Sequence, residues 1–121
     1  MKIPGPDHPI TIEPNSKRVR IVFNGRVVAD TRRALTLREA SLRPVQYIPR
    51  ADADMGAFVR SSHKTHCPYK GDAAYYSLAV DGRTADDAVW TYEAPYPAMA
   101  QIKEHLAFYP DRVDRIEETA S

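Results

Sequence analysis

Arg18-Val19-Arg20-Ile21-Val22-Phe23-Asn24-Gly25-Arg26-Val27-Val28-Ala29-Asp30 is the stretch that decides the fold. Its first half alternates charged and apolar side chains, the pattern of a strand buried on one face only. Asn24-Gly25 then interrupts two β-rich runs. Both central positions of a tight hairpin turn need φ > 0, which Asn and Gly adopt at least cost. A hairpin here commits the chain to antiparallel β-structure early.

The same grammar recurs outward from the hairpin. Upstream, residues 1–9 hold three prolines and read as an extended arm, Ile10-Thr11-Ile12-Glu13 as a short strand, and Pro14-Asn15-Ser16 as a turn. Downstream, Ala34–Glu39, Arg43–Pro49, Ala73–Val80, Val89–Glu93 and His105–Tyr109 read as strands. Prolines sit at their ends, where a missing N–H does least harm. Asp81-Gly82 is a second turn signal. In the run Ala73–Val80, alternation puts Tyr76, Leu78 and Val80 on one face and Ala73, Tyr75 and Ser77 on the other. Asp52–Val59 is the best helix candidate, with Asp52 as its cap and Gly56 as its weakness. Ala98–Glu104 predicts a helical turn, Asp86-Asp87-Ala88 a loop, and the segment from Asp111 a fraying tail or one helical turn. A tally of about seven or eight short strands with regular turns predicts an all-β sandwich or barrel-like body. The expected organisation is one domain over residues 1–121, with 1–17 as an N-terminal arm and 111–121 as a C-terminal tail.

Composition narrows the function. Seventeen basic and sixteen acidic residues leave a formal charge of +1, which gives no electrostatic case for nucleic acid or an anionic membrane. Arg18, Arg20, Arg26, Arg32, Arg33, Arg38 and Arg43 crowd the first third and read as solvated strand faces. A single cysteine forms no internal disulfide and suits a reducing compartment. The N-terminus has no apolar signal core, and no apolar run approaches the ~20 residues of a membrane helix. The expected location is the cytoplasm, with no membrane or nucleic-acid partner. A homodimer through an open sheet edge is left open.

The chemistry concentrates in Thr65-His66-Cys67-Pro68-Tyr69-Lys70-Gly71. Pro68 pushes Cys67 into extended backbone, and Gly71 supplies a position where φ > 0 is free. The segment therefore predicts a sharp turn out of a strand, and turns of this kind often carry function.

Together with Val28-Ala29-Asp30, Leu37-Arg38-Glu39, Pro44–Pro49, Trp90-Thr91-Tyr92-Glu93-Ala94-Pro95 and Ala107-Phe108-Tyr109-Pro110, this motif resembles a family known as domain of unknown function 427. The matching stretches span roughly residues 18 to 113 in the family's order. The resemblance implies a mainly β architecture called a β-tent. In it two antiparallel sheets lean together around a central cavity holding the shared polar residues, with one or two short helices. It implies no activity. The family is sometimes labelled nucleotidyltransferase-like, but the chain has no glycine-rich phosphate loop and no paired-aspartate metal motif.

Three readings of the motif follow. In the first, a small molecule, anionic ones included, binds a pocket formed by Glu39, Tyr47, Thr65, Tyr69, Gly71, Trp90 and Glu93 beside Cys67 and Lys70. Aromatic walls with a few convergent polar groups are what such a pocket looks like. In the second, Cys67 is a catalytic nucleophile activated by Lys70, three residues on, with His66 or His63 as base. In the third the turn only ties sheets together. Plainer alternatives stand beside each: a buried inert thiol for Cys67, core packing for Trp90 and Tyr92, and for Glu39 and Glu93 an ion pair with Lys70 or Arg38 rather than acid–base work. A buried Lys70 would need such a partner. No metal site and no cofactor are expected. His66 and Cys67 alternate faces in a strand, and His63 and Cys67 would stand about 13 Å apart if extended.

Overall fold

The computed structural model describes residues 1–120. The Asn24-Gly25 hairpin forms as the sequence predicts: Asn24 has φ 49° and Gly25 φ 76°, between strands β2 (Arg18–Phe23) and β3 (Arg26–Thr31). Arg18 clamps the open end of the hairpin with two bonds to the Asp30 carboxylate, at 2.8 and 2.6 Å. The other strands are β1 (Ile10–Pro14), β4 (Leu35–Glu39), β5 (Val45–Pro49), β6 (Phe58–Cys67), β7 (Gly71–Val80), β8 (Arg83–Tyr92), β9 (His105–Phe108) and β10 (Arg115–Thr119). All their pairings are antiparallel, in a three-stranded sheet ordered β10-β2-β3 and a seven-stranded sheet ordered β1-β4-β5-β9-β8-β7-β6. The fold is mainly β.

One strand makes the larger sheet bend. β5 changes partner halfway: Val45–Tyr47 face β4, whereas Ile48 and Pro49 face β9. The sheet thus divides into a β1-β4 leaf and a β9-β8-β7-β6 leaf joined at β5. Side chains of the two leaves meet. Leu37 and Tyr47 pack with Ala73, Tyr75, Tyr92 and Ala107, and Ile10 and Ile12 lie against them. The opposite face of the second leaf carries Ile48, Tyr76, Leu78, Val80, Val89 and Leu106, which pack with Val19, Ile21, Phe23 and Val28 of the small sheet. The predicted division of Tyr75 from Tyr76 is therefore realised: neighbouring tyrosines serve two separate cores.

Three segments depart from the sequence expectations. Asp52–Val59 is not a helix. One 3₁₀ turn at Met55–Ala57 leads straight into β6, because Phe58 finds a ladder partner in Leu78 and Gly56 gives a helix little support. Asp86-Asp87-Ala88 is not a loop but part of β8, where Asp87 at φ 50° makes an irregularity opposite Tyr76–Leu78. The Ser77 hydroxyl accepts the Asp87 N–H at 3.0 Å, so the irregularity leaves no orphan donor. Over the described residues, the segment from Asp111 does not fray, and its helical turn is brief. A 3₁₀ turn at Pro110–Arg112 is followed by β10, held to β2 from Arg115↔Val22 to Thr119↔Arg18. The short strand expected at Ile10–Glu13 forms and pairs with β4 at the sheet edge.

Candidate functional site

The Cys67–Gly71 turn closes the β6–β7 hairpin, with Cys67 opposite Gly71. Gly71 adopts φ 110°, and a Cβ there would come within 3.5 Å of the Ala94 carbonyl oxygen. Tyr96 donates its backbone N–H to the Lys70 carbonyl at 3.0 Å, so a second strand of chain crosses directly behind the turn. This aims the Lys70 side chain inward between the leaves, where the residue is 8 % exposed.

A buried ammonium requires compensation. Glu39, the last residue of β4, supplies it from the opposite leaf: Lys70 Nζ donates to Glu39 Oε1 at 2.5 Å. Glu39 Oε2 accepts a bond from His8 Nε2 at 2.7 Å. Burial alone would raise the Glu39 carboxyl, but the bonds from Lys70 and His8 outweigh it and hold the group below its ordinary pKa. The ion-pair alternative to acid–base work at Glu39 is what the geometry realises. Cys67 Sγ lies 3.7 Å from Lys70 Nζ, and the half-buried thiol packs beside the Leu37–Tyr47–Tyr92 cluster.

Beside the pair lies a chamber of about 220 Å³ between the leaves. One leaf and its neighbouring loop contribute Leu37, Glu39, Leu42, Arg43, Val45 and Tyr47; the other side contributes Lys70, Tyr75, Trp90, Tyr92 and Tyr109. Trp90 Nε1 donates to the Tyr47 hydroxyl at 3.1 Å, a second tie between the leaves. Burial pushes the Tyr47 and Tyr92 phenols far above their usual pKa, and burial with the Tyr75 hydroxyl bond pushes Tyr109 up to about 12. These hydroxyls stay neutral through the physiological range and can both donate and accept.

Of the residues singled out in sequence, Glu39, Tyr47, Lys70 and Trp90 meet at this chamber, with Cys67 directly behind Lys70. Thr65 stands on its outer side and reaches in only through a hydroxyl chain, 3.0 Å to Tyr75 and from there 3.3 Å to Tyr109. Tyr69 faces away and stacks on His8, ring centroids 4.2 Å apart. Gly71 acts through its backbone alone. Glu93 points elsewhere, forming a bidentate pair with Arg60 at 2.8 and 2.9 Å. His66 turns to Asp72 and His63 packs against Tyr75, so the histidines proposed as bases for Cys67 serve other contacts. Among the described residues, no group of three or more His, Cys, Asp and Glu side chains gathers to hold a metal ion, and no helix is long and apolar enough to cross a membrane.

The positions that build the chamber lie between Leu37 and Tyr109. A family model described as "Domain of unknown function (DUF427)" matches residues 11–119, which takes in all of them. The chain belongs to the DUF427 family. No curated protein matches it. The DUF427 match covers every strand from β2 to β10 and all but the first residue of β1, so the fold and the chamber fall within the family's extent. His8 lies outside the matched span, although it completes the Glu39 pair.

Sequence reasoning missed five polar contributors: His8, Arg43, Tyr75, Tyr92 and Tyr109. Tyr75 carried a signal, since alternation separates it from the Tyr76 core. Tyr109 precedes a proline at a strand end and looked structural. Nothing local marks His8, whose role depends on the arm folding back so that the Lys2 N–H reaches the Pro68 carbonyl at 2.7 Å.

Proposed function

We propose that the protein binds a small planar molecule in the chamber between the two leaves. The observation that carries this reading is the Lys70–Glu39 pair, drawn from strand ends on opposite leaves and opening onto aromatic walls. A core has little use for such a pair, since apolar residues of similar volume often serve stability as well or better. The walls of Tyr47, Tyr75, Trp90, Tyr92 and Tyr109 suit a ring, and the pair with the tyrosine hydroxyls offers donors and acceptors to its substituents. The volume of about 220 Å³ lies below the usual ~300–1,000 Å³ of small-molecule pockets, which limits the ligand to one small ring. Arg43 at the chamber's edge makes no ion pair with its side chain among the described residues and favours an anionic substituent.

Trp90 is the only tryptophan and lines the chamber, so its fluorescence reports occupancy. A screen of single-ring carboxylates and neutral phenols should yield a compound that shifts Trp90 emission and raises the melting temperature. Lys70→Ala should abolish both effects, and Tyr109→Phe should weaken them. Unchanged affinity in Lys70→Ala would remove the proposal.

A second reading is supported by the 3.7 Å separation of Cys67 Sγ and Lys70 Nζ: nucleophilic catalysis by the thiol. Lys70 is nearer to Glu39 than to the sulfur, so its charge is largely spent before it reaches the thiol. The binding reading is therefore the stronger.

A further inference from the structure

A second cavity, of about 500 Å³, separates the three-stranded sheet from the β5–β9–β8 wall. Ile21 and Ile116 form one side; Val45, Phe108, Pro44 and Pro110 form the other. Its volume falls inside the ~300–1,000 Å³ range of ligand pockets, unlike the smaller chamber.

Polar groups stand at its rim: Arg43, Gln46 and Glu118. Two of them are already committed. Asn15 Nδ2 donates to Gln46 Oε1 at 3.0 Å and to Glu118 Oε1 at 2.9 Å, and the Thr36 hydroxyl donates to Gln46 Oε1 at 2.9 Å. The Arg43 side chain has no hydrogen-bond or ion-pair partner among the described residues, and it is exposed. Gln46 and Glu118 bond through one oxygen each, so the rim side chain with no partner at all is a guanidinium, whose planar fork matches a carboxylate. The Glu118 charge on the same rim disfavours a dianion and so favours a carboxylate over a phosphate monoester.

We infer that this cavity is a second ligand site, which takes the alkyl chain of a small amphiphilic carboxylate and sets its charge against Arg43. This site does not require the planar ligand assigned to the chamber between the leaves, although the two ligands compete for Arg43. The two spaces share Arg43, Val45 and Trp90 as a common wall, so a ligand in either is sensed by the other.

The test titrates the full chain with decanoate, octanoate and decan-1-ol. Trp90 emission measures affinity, and backbone amide NMR shifts locate the ligand. Decanoate should saturate, with its largest shifts at Ile21, Phe108 and Ile116. Octanoate should bind roughly tenfold more weakly, as expected for two fewer buried methylenes. Arg43→Gln should weaken decanoate about fivefold and leave decan-1-ol unchanged. Ile116→Phe, which fills the cavity from an edge strand, should abolish binding of both. Shifts confined to Leu37, Lys70 and Tyr75 would place the ligand between the leaves and overturn the inference, as would equal affinities for decanoate and octanoate. The NMR map on the unaltered chain decides the matter even if Ile116→Phe fails to fold.

Discussion

Lys70 Nζ lies 2.5 Å from Glu39 Oε1, although the two residues stand 31 positions apart in the chain. The contact joins the strand ends of two leaves that share only β5. Both side chains are nearly buried, at 10 % and 12 % exposure, so removing one partner strands a charge rather than a surface contact. Lys70→Met should cost about 3 kcal/mol in denaturant unfolding. The Lys70→Met/Glu39→Gln double variant should be less destabilised than Lys70→Met alone, because no unpaired charge then remains. Strictly additive losses would show that the pair is not coupled as the geometry requires.

Glu39 also sets an acid limit. Its folded carboxyl sits below its ordinary pKa, with Lys70 and His8 overcoming the cost of burial. A depressed acid contributes stability above the unfolded value, about pH 4.3, and loses it as pH falls through the folded value. Unfolding free energy should therefore drop more steeply below about pH 4 in the natural sequence than in Glu39→Gln. Parallel acid profiles would show that the shift has no thermodynamic weight.

The alkaline limit rests on Tyr47, which is 1 % exposed, and on Tyr92. Burial raises both phenols, so the unfolded chain ionises first, from about pH 10, while the folded chain holds its protons. Stability should be complete below that pH and decline above it. Phenolate absorbance from Tyr47 and Tyr92 should appear only as a late phase, together with loss of near-ultraviolet circular dichroism. A single smooth rise in the folded protein would contradict the sealed chamber wall.

How much of this was legible in the sequence follows from the range of each interaction. Asn24-Gly25 and Asp81-Gly82 impose their turns through φ alone, a property of single residues, and both turns form. Alternation in Ala73–Val80 sorts Tyr75 from Tyr76 because period two is local geometry. Asp87 broke the pattern because a serine hydroxyl ten residues earlier satisfies its backbone, which no window on Asp86-Asp87-Ala88 contains. β10 was hidden for the same reason: Arg115–Thr119 has no strand signal until β2 lies beside it. Glu93 shares with Trp90 a stretch that matches the family, but it lies just past the end of β8 and Arg60 holds it on the other side. The partner of Lys70 was foreseeable in kind, since a buried amine needs a carboxylate. His8 was not, because an arm's docking is decided by the surface it meets.

Two glycines with positive φ should respond differently to alanine. Gly25 at φ 76° has open space where a Cβ would go. Gly25→Ala should cost about 1 kcal/mol, the ordinary penalty of a left-handed L-residue. Gly71 at φ 110° lies outside that left-handed well, whereas its Cβ would make only ordinary contacts of 3.5 to 3.7 Å with the Ala94–Tyr96 backbone. Gly71→Ala should cost about 2–3 kcal/mol, because the backbone angle rather than the space forbids the side chain. Equal melting temperatures for the two variants would show that φ at Gly71 imposes no constraint beyond that at Gly25.

The Lys70–Glu39 contact also governs the thiol. Lys70 Nζ is 2.5 Å from the carboxylate and 3.7 Å from Cys67 Sγ, so the carboxylate neutralises most of the field that the sulfur would feel. Thiolate is the reactive form, and an uncompensated ammonium nearby favours it. Glu39→Gln keeps the shape of the side chain and removes its charge, which releases the ammonium toward the sulfur. Iodoacetamide should then alkylate Cys67 faster in Glu39→Gln than in the natural sequence, by about tenfold at neutral pH. Adding Lys70→Met to Glu39→Gln should return the rate to its original level or below. If Glu39→Gln reacts no faster while remaining folded, Lys70 does not act on the thiol at all, and nucleophilic catalysis at Cys67 loses the one contact that supports it.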